Sequence, residues 1–240
     1  MRLSRGPFKF VILIMGRSGS TNLVEALNSH SAIYAKGEFL TTKEEYRRLR
    51  VARRFLTQSH SEEYSAVGFK TKLKDVPNLE EFARLLREVG TLIILLRRRN
   101  VIKQVVSRIN SFRLYDTTGD WNLYNEGNRL PPATIDPVSF KETLEEVEKE
   151  RQELERYVEL LDLPTLSLYY EDLLVDQRAT LERICSFLGV AYESLQGQAI
   201  KHTADDLRQA VSNFEELRLQ YVGTRYEEMF DEVLVPVRGS

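Results

Sequence analysis

The chain has 240 residues, 42% apolar and 10% aromatic, enough for one sizeable core, and one α/β domain over residues 1–240 is the expectation. A single cysteine, Cys185, excludes an internal disulfide framework and a cysteine-based metal cluster; with only His30, His60 and His202 besides, no metal is expected. The net charge of −2 is unevenly placed, with 22 Lys+Arg against 12 Asp+Glu in residues 1–120 and 12 against 24 in residues 121–240. An anionic ligand held by the first half would account for that split, as would two solvated faces.

The first apolar run, Phe8–Met15, ends in glycine-rich chemistry and reads as a buried strand. The longest apolar run, Phe10 to Met15, is too short to span a bilayer or to form a signal-peptide core, so a cytoplasmic protein with no stable membrane insertion is expected. Thr21–Asn28 suits a helix through Leu23, Ala26 and Leu27, and residues 42–58 read as a charged helix. Ser65–Lys70 reads as a strand, Asn78–Val89 as a helix with Leu79, Phe82, Leu85 and Leu86 on one side, and Thr91–Leu96 as a continuous apolar strand. Val101–Phe112 is predicted helical from Val101, Val105, Val106 and Ile109.

Residues 114–136, with Gly119, Gly127, Pro131 and Pro132, read as a long loop on the substrate side. Its Tyr115, Trp121 and Tyr124 suit either stacking on a ligand or pinning the loop to the body. Phe140–Leu161 is a long charged helix closed by Pro164. Thr165–Tyr170 is a strand, Ala179–Leu188 a helix holding Cys185 as a small core residue, and residues 205–231 are helical in two or three pieces. Strands alternating with helices predict a central parallel β-sheet flanked by helices on both faces.

The segment Gly16-Arg17-Ser18-Gly19-Ser20-Thr21-Asn22-Leu23 carries the chemistry. A strand feeding a glycine-bearing turn into a helix aims several backbone N–H groups at one spot, where the helix dipole adds positive character. Arg17 brings a fork of donors suited to oxyanions, and Ser18, Ser20 and Thr21 bring hydroxyls. A plain helix cap explains one such hydroxyl, not an arginine, three hydroxyls and two glycines together.

An ATP-type loop, G-x-x-x-x-G-K-[ST], would need lysine where Ser20 stands and glycine where Ile14 stands. The strand Leu92–Leu96 ends in Arg97-Arg98-Arg99 rather than in a metal-binding Asp. Arginines there would repel magnesium and attract a second phosphate, at the strand edge where ligands of open α/β sheets bind. Ser107, eight residues beyond Arg99 on the following helix, could grip that phosphate from the other side.

Together these segments resemble the sulfotransferases that use 3′-phosphoadenosine 5′-phosphosulfate (PAPS). In that family the first loop, [RK]-x-G-[ST]-[ST]-x-[LW], holds the 5′-phosphosulfate, and a strand-end Arg with a Ser about eight residues on holds the 3′-phosphate. Here these are Arg17–Leu23 (Arg17, Ser18, Gly19, Ser20, Thr21, Asn22) and Arg99, or Arg98 as in some bacterial relatives, with Ser107. Tyr170-Glu171-Asp172-Leu173 before Phe187-Leu188-Gly189, Asn213–Leu217 with Gly223–Tyr226, and Gly68-Phe69-Lys70 resemble further family segments.

The resemblance implies a P-loop nucleotide-kinase-like sulfotransferase fold. It implies transfer of the sulfuryl group of PAPS, leaving adenosine 3′,5′-bisphosphate (PAP), to a hydroxyl or amine of a carbohydrate, lipid or small metabolite. Glu38 is similar in position to the glutamate base of heparan sulfate 3-O-sulfotransferases. Lys70 resembles the lysine that contacts the transferring group, and Lys201 would approach the 3′-phosphate or adenine. His30 competes as a base but reads better as a helix-end histidine. Nucleic acid is not an expected partner, since no recognition motif is present. A divergent P-loop kinase and a non-catalytic PAP binder are the rival readings.

Overall fold

The computed structural model describes residues 6–60, 63–194 and 204–234. The chain divides into two compact units, Met1–Arg97 with Glu153–Gln198, and Arg98–Gln152 with Ala199–Ser240.

The first unit is built on one five-stranded parallel sheet in the order β2-β3-β1-β4-β5. Its strands are β1 (Phe8–Ile14), β2 (Ile33–Lys36), β3 (Ala66–Thr71), β4 (Leu92–Arg97) and β5 (Thr165–Tyr169). Register is set by apolar residues on both faces of the central strands, with Ile12 opposite Lys70 on one side and Ile94 on the other. Parallel strands need crossovers, and here they are helices: α1 (Ser20–Asn28), α2 (Glu45–Thr57) and α3 (Leu79–Val89).

Side chains alternate along a strand, so each central strand supplies both faces. Phe10, Ile12 and Ile14 join Ile94 and Leu96 beneath Leu23 and Leu27 of α1 and Leu181, Ile184 and Cys185 of α7 (Gln177–Phe187). Val11, Leu13, Phe69, Ile93 and Leu95 are buried on the opposite face, where the Phe69 ring meets Phe55 of α2 edge-on at 5.5 Å. Gly68 lets β1 and β3 close, since a Cβ there would lie 2.3 Å from the Phe10 carbonyl oxygen. Asn78 caps α3 by accepting from the Glu81 N–H, and Gly90 ends it at φ 67. Two short additions escaped the sequence reading: the four-residue strand β2 and the helix α6 (Tyr170–Val175).

The second unit holds α4 (Val101–Thr118), the first part of α5 (Pro137–Leu161), α8 (Phe214–Leu219) and α9 (Glu227–Asp231). Its core gathers Phe140, Phe214, Tyr221 and Phe230, with ring centroids 5.4–6.1 Å apart. The side-chain amide of Asn213 bonds the backbone N–H and carbonyl of Ile135 at 2.9 Å each, standing in for a strand partner.

The segment expected to be a loop from residue 114 is helical as far as Thr118. Leu114 is buried, and the first residue to stop the helix is Gly119 at φ 78. Trp121 then stacks on Tyr115 at 4.3 Å and meets Phe112 edge-on at 5.3 Å, so this aromatic set pins the following loop to α4. No helix among the described residues is long and apolar enough to cross a membrane.

Candidate functional site

In a parallel sheet every strand ends at the same edge, and the candidate residues of the first unit collect there. β1 stops at Ile14, and the turn to α1 passes through two left-handed residues, Arg17 at φ 64 and Gly19 at φ 77. Between them Ser18 is fully buried and donates its hydroxyl to the Met15 carbonyl at 3.0 Å, so that side chain shapes the turn. Gly19 must be glycine for two reasons: its backbone is left-handed, and an added Cβ would lie 2.0 Å from the Tyr170 ring at the start of α6. Because the cap is glycine, no side chain caps the first turn of α1. Its amide groups keep the anion-binding character of a helix N-terminus.

Lys70 ties this turn to the rest of the edge. Its ammonium donates to Ser20 Oγ at 3.2 Å and Thr21 Oγ1 at 3.1 Å, and stands 3.5 Å from Glu38 Oε1. An ammonium has three protons to place, and here three oxygens surround it. Lys70 is only 6% exposed. Burial pushes its pKa below the ordinary 10.5, and the opposing pull of Glu38 recovers only part of that.

Glu38 reaches this place through β2. Lys36, the last residue of β2, is paired with Phe69, so the chain two residues on lies level with the end of β3. The turn is held by the Thr41 hydroxyl on the Glu38 carbonyl at 2.6 Å and by the Phe39 ring, edge-on to Phe69 at 5.1 Å. Glu38 Oε2 is ion-paired to Lys72. Burial alone would raise the Glu38 pKa, but the Lys72 and Lys70 ammoniums outweigh it and hold the carboxyl below its ordinary 4.5.

Lys72 was missed by sequence reasoning, although a signal was present. Residues two apart on a strand share a face, so Lys70-Thr71-Lys72 at the end of β3 aims two ammoniums to one side.

The structure thus brings together Ser20, Thr21, Lys70 and Glu38 among the expected residues and adds Lys72. Arg17 and Asn22 are half-buried in the same loop-to-helix segment. His30 belongs to the other edge, beside the start of β2. It accepts from the Ala32 N–H at Nδ1 (2.9 Å), which leaves Nε2 to donate to the Ala191 carbonyl (2.8 Å). Both ring nitrogens are engaged in a structural clip.

Of the three strand-end arginines, Arg97 is held by Glu155 at 2.6 Å, with its guanidinium 4.7 Å from the centre of the Tyr169 ring. Arg98 and Arg99 belong to the second unit, where Arg98 is buried and Arg99 exposed. There α4 carries a buried polar stripe comprising Asn100, Lys103, Gln104, Ser107, Asn110 and Ser111. Asn100 caps α4 by accepting from the Lys103 N–H at 2.8 Å, while Lys103, 2% exposed, pairs with Asp205 at 3.0 Å. Ser107, 6% exposed, lies midway along the stripe. Lys201 lies outside the described residues.

A family model described as "Sulfotransferase family" matches residues 44–194, well over half of the chain. Nodulation protein H of Rhizobium meliloti is 28% identical over 245 residues, covering 94% of this chain and 96% of that protein. Nodulation protein H of Rhizobium tropici is 28% identical over 241 residues, covering 94% of each. Among solved structures, the sulfotransferase domain from the curacin biosynthetic pathway shares the fold at a TM-score of 0.50 and 18% identity, covering 98% of this chain and 95% of that one.

Proposed function

The chain belongs to the sulfotransferase family, and on that footing we propose that it moves the sulfuryl group of PAPS to a hydroxyl or amine of a small-molecule or saccharide acceptor. The observation that carries the reading is Lys70, which joins the Ser20 and Thr21 hydroxyls of the turn to the Glu38 carboxylate. One cation thereby links a place suited to an anionic group with a place suited to a proton.

The residues fit such a donor. The uncapped first turn of α1, Arg17, Ser20, Thr21 and Lys70 are all hydrogen-bond donors, as a phosphosulfate requires. In the second unit, Arg98 or Arg99 and Ser107 are the proposed holders of a 3′-phosphate.

The transfer is an in-line displacement. The acceptor oxygen or nitrogen forms its bond to sulfur while the bond from sulfur to the bridging oxygen breaks. The electron pair of that bond departs with PAP, and the acceptor's proton passes to Glu38. Arg17 and the turn amides stabilise the charge that grows on the leaving oxygen, and Lys70 contacts the transferring group. Preorganised donors of this kind are worth about 10²–10³ in rate each. Positioning supplies much of the remainder, since donor and acceptor are held in line.

A divergent P-loop kinase is the competing reading. Serine in place of the loop lysine and arginine after β4 both speak against it. Thermal shift separates the two. PAP raises the melting temperature more than ATP with magnesium does under the present reading, and the reverse ranking favours the kinase. Transfer of labelled sulfate from PAPS to a panel of sugars, lipids and small metabolites then identifies the acceptor class.

A further inference from the structure

β3 delivers Lys70 and Lys72 to one side, and the chain continues into a 3-10 turn over Leu73–Asp75. The turn is closed by the Asp75 N–H on the Lys72 carbonyl at 3.1 Å and the Val76 N–H on the Leu73 carbonyl at 2.9 Å. Lys72 is the extended residue that enters this turn, and both its backbone N–H and its ammonium lie close enough to act on the Asp75 carboxyl. Asp75 is 7% exposed, and its Oδ2 is buried without a hydrogen-bond partner among the described residues. An unsatisfied oxygen on a buried carboxyl group is costly and calls for a reason. Lys72, whose charge acts on Asp75 more than that of the adjacent Lys74, is meanwhile paired with Glu38.

We propose that Lys72 has two carboxylate seats, Glu38 and Asp75, and that Asp75 is a positioning residue whose capture of Lys72 releases Glu38 to take the acceptor's proton. The proposal rests on Glu38 being the base. Movement between the seats needs only side-chain rotation, because Lys72 ends on a four-carbon stem and is itself partly exposed.

The surrounding charges are consistent with a shared lysine. Burial raises the Asp75 carboxyl above its ordinary value, the Lys72 charge pulls it back, and the Glu38 charge pushes it further up. On Glu38, burial is opposed first by Lys72 and then by Lys70. Lys74 also acts on Asp75, and Glu25 of α1 acts on Lys70. Arg48 of α2 donates to the Asp75 backbone carbonyl at 3.3 Å, which holds the turn without satisfying the carboxylate. With Lys72 on Asp75, Glu38 keeps only Lys70 and becomes the stronger base.

The test is a double-mutant cycle read by the titration of the Glu38 side-chain carboxyl carbon, by NMR on the full chain labelled with ¹³C-glutamate. It needs neither donor nor acceptor. Asp75→Asn removes the second seat and lowers the Glu38 midpoint by about one pH unit, whereas Lys72→Met raises it. With Lys72→Met already present, Asp75→Asn adds no more than a small shift. Asp75→Ser takes the place of Asp75→Asn if that variant does not fold. An unchanged Glu38 midpoint in Asp75→Asn, or an equal shift with and without Lys72, overturns the proposal. Full turnover in Glu38→Gln alongside the expected cycle would remove the base assignment and leave the shared lysine standing, so the two failures are distinguishable.

Discussion

Lys70 Nζ stands 3.5 Å from Glu38 Oε1 while donating to the Ser20 and Thr21 hydroxyls. One buried ammonium therefore couples the phosphate-type turn after β1 to the carboxylate beyond β2. Replacing it with an apolar side chain of similar length separates its roles. Lys70→Met is expected to lower turnover by about 10²–10³ while changing PAP affinity far less, because the turn amides and Arg17 remain. Steady-state transfer and PAP titration on the same preparation check this.

The same pair sets the pH profile. The Glu38 carboxyl lies below its ordinary 4.5 in the folded chain, so its stabilising contribution is complete above the unfolded value and is lost as the pH falls through the folded one. Lys70 lies below 10.5 in the folded chain; its charged form opposes folding, and that opposition is relieved as the pH rises from the folded value toward 10.5. For activity, kcat/KM should be broad, with an acid limb below 4.5 and an alkaline limb below 10.5. Lys70→Arg should carry the alkaline limb upward, which a pH series on that variant measures.

Gly19 carries a steric and a conformational demand that can be pulled apart. Gly19→Ala places a methyl 2.0 Å from the Tyr170 ring on a backbone at φ 77. The left-handed conformation alone costs about 1 kcal/mol or more, and the ring clash adds to it. Tyr170→Ala should relieve the clash and leave the conformational part. Urea unfolding of both single variants and the double variant should show partial rescue.

In the second unit, Lys103 is 2% exposed and depends on Asp205. Asp205→Ala leaves a buried ammonium without its carboxylate and removes the acceptor of the Leu234 N–H. Such a loss is expected to cost about 3–5 kcal/mol. Equilibrium unfolding checks it, and Lys103→Met combined with Asp205→Ala should recover part of the loss.

Much of this was legible in the sequence, for reasons that can be named. Phe8–Met15 before a glycine-bearing turn reads as β1 into α1 because a parallel strand buried on both faces is continuously apolar. β3 and β4 were readable on the same grounds, and α3 from the helical spacing of Leu79, Phe82, Leu85 and Leu86. β2 was not: its four residues alternate Ile33 and Ala35 with Tyr34 and Lys36, too short a pattern to separate from a link after α1. Without β2 to carry the chain to the end of β3, the place of Glu38 rested on the short link after α1 and on resemblance.

Helix α4 misled in another way. Its apolar spacing pointed to Ile109 on the buried side, yet the structure buries Asn110 and Ser111 more fully. Binary patterning assumes that polar residues seek water, and it fails where they bury together around ion pairs and backbone groups. Lys103 and Gln104 fall under that exception.

Glu38→Gln separates proton transfer from donor binding, because the amide keeps the shape of the side chain and removes its capacity to take a proton. PAP should still raise the melting temperature of the variant as it does that of the parent chain, while transfer of labelled sulfate from PAPS to the acceptor should fall by at least about 10². Transfer at the parent rate with PAP binding intact would remove Glu38 as the base, since the acceptor's proton would then be leaving by another route.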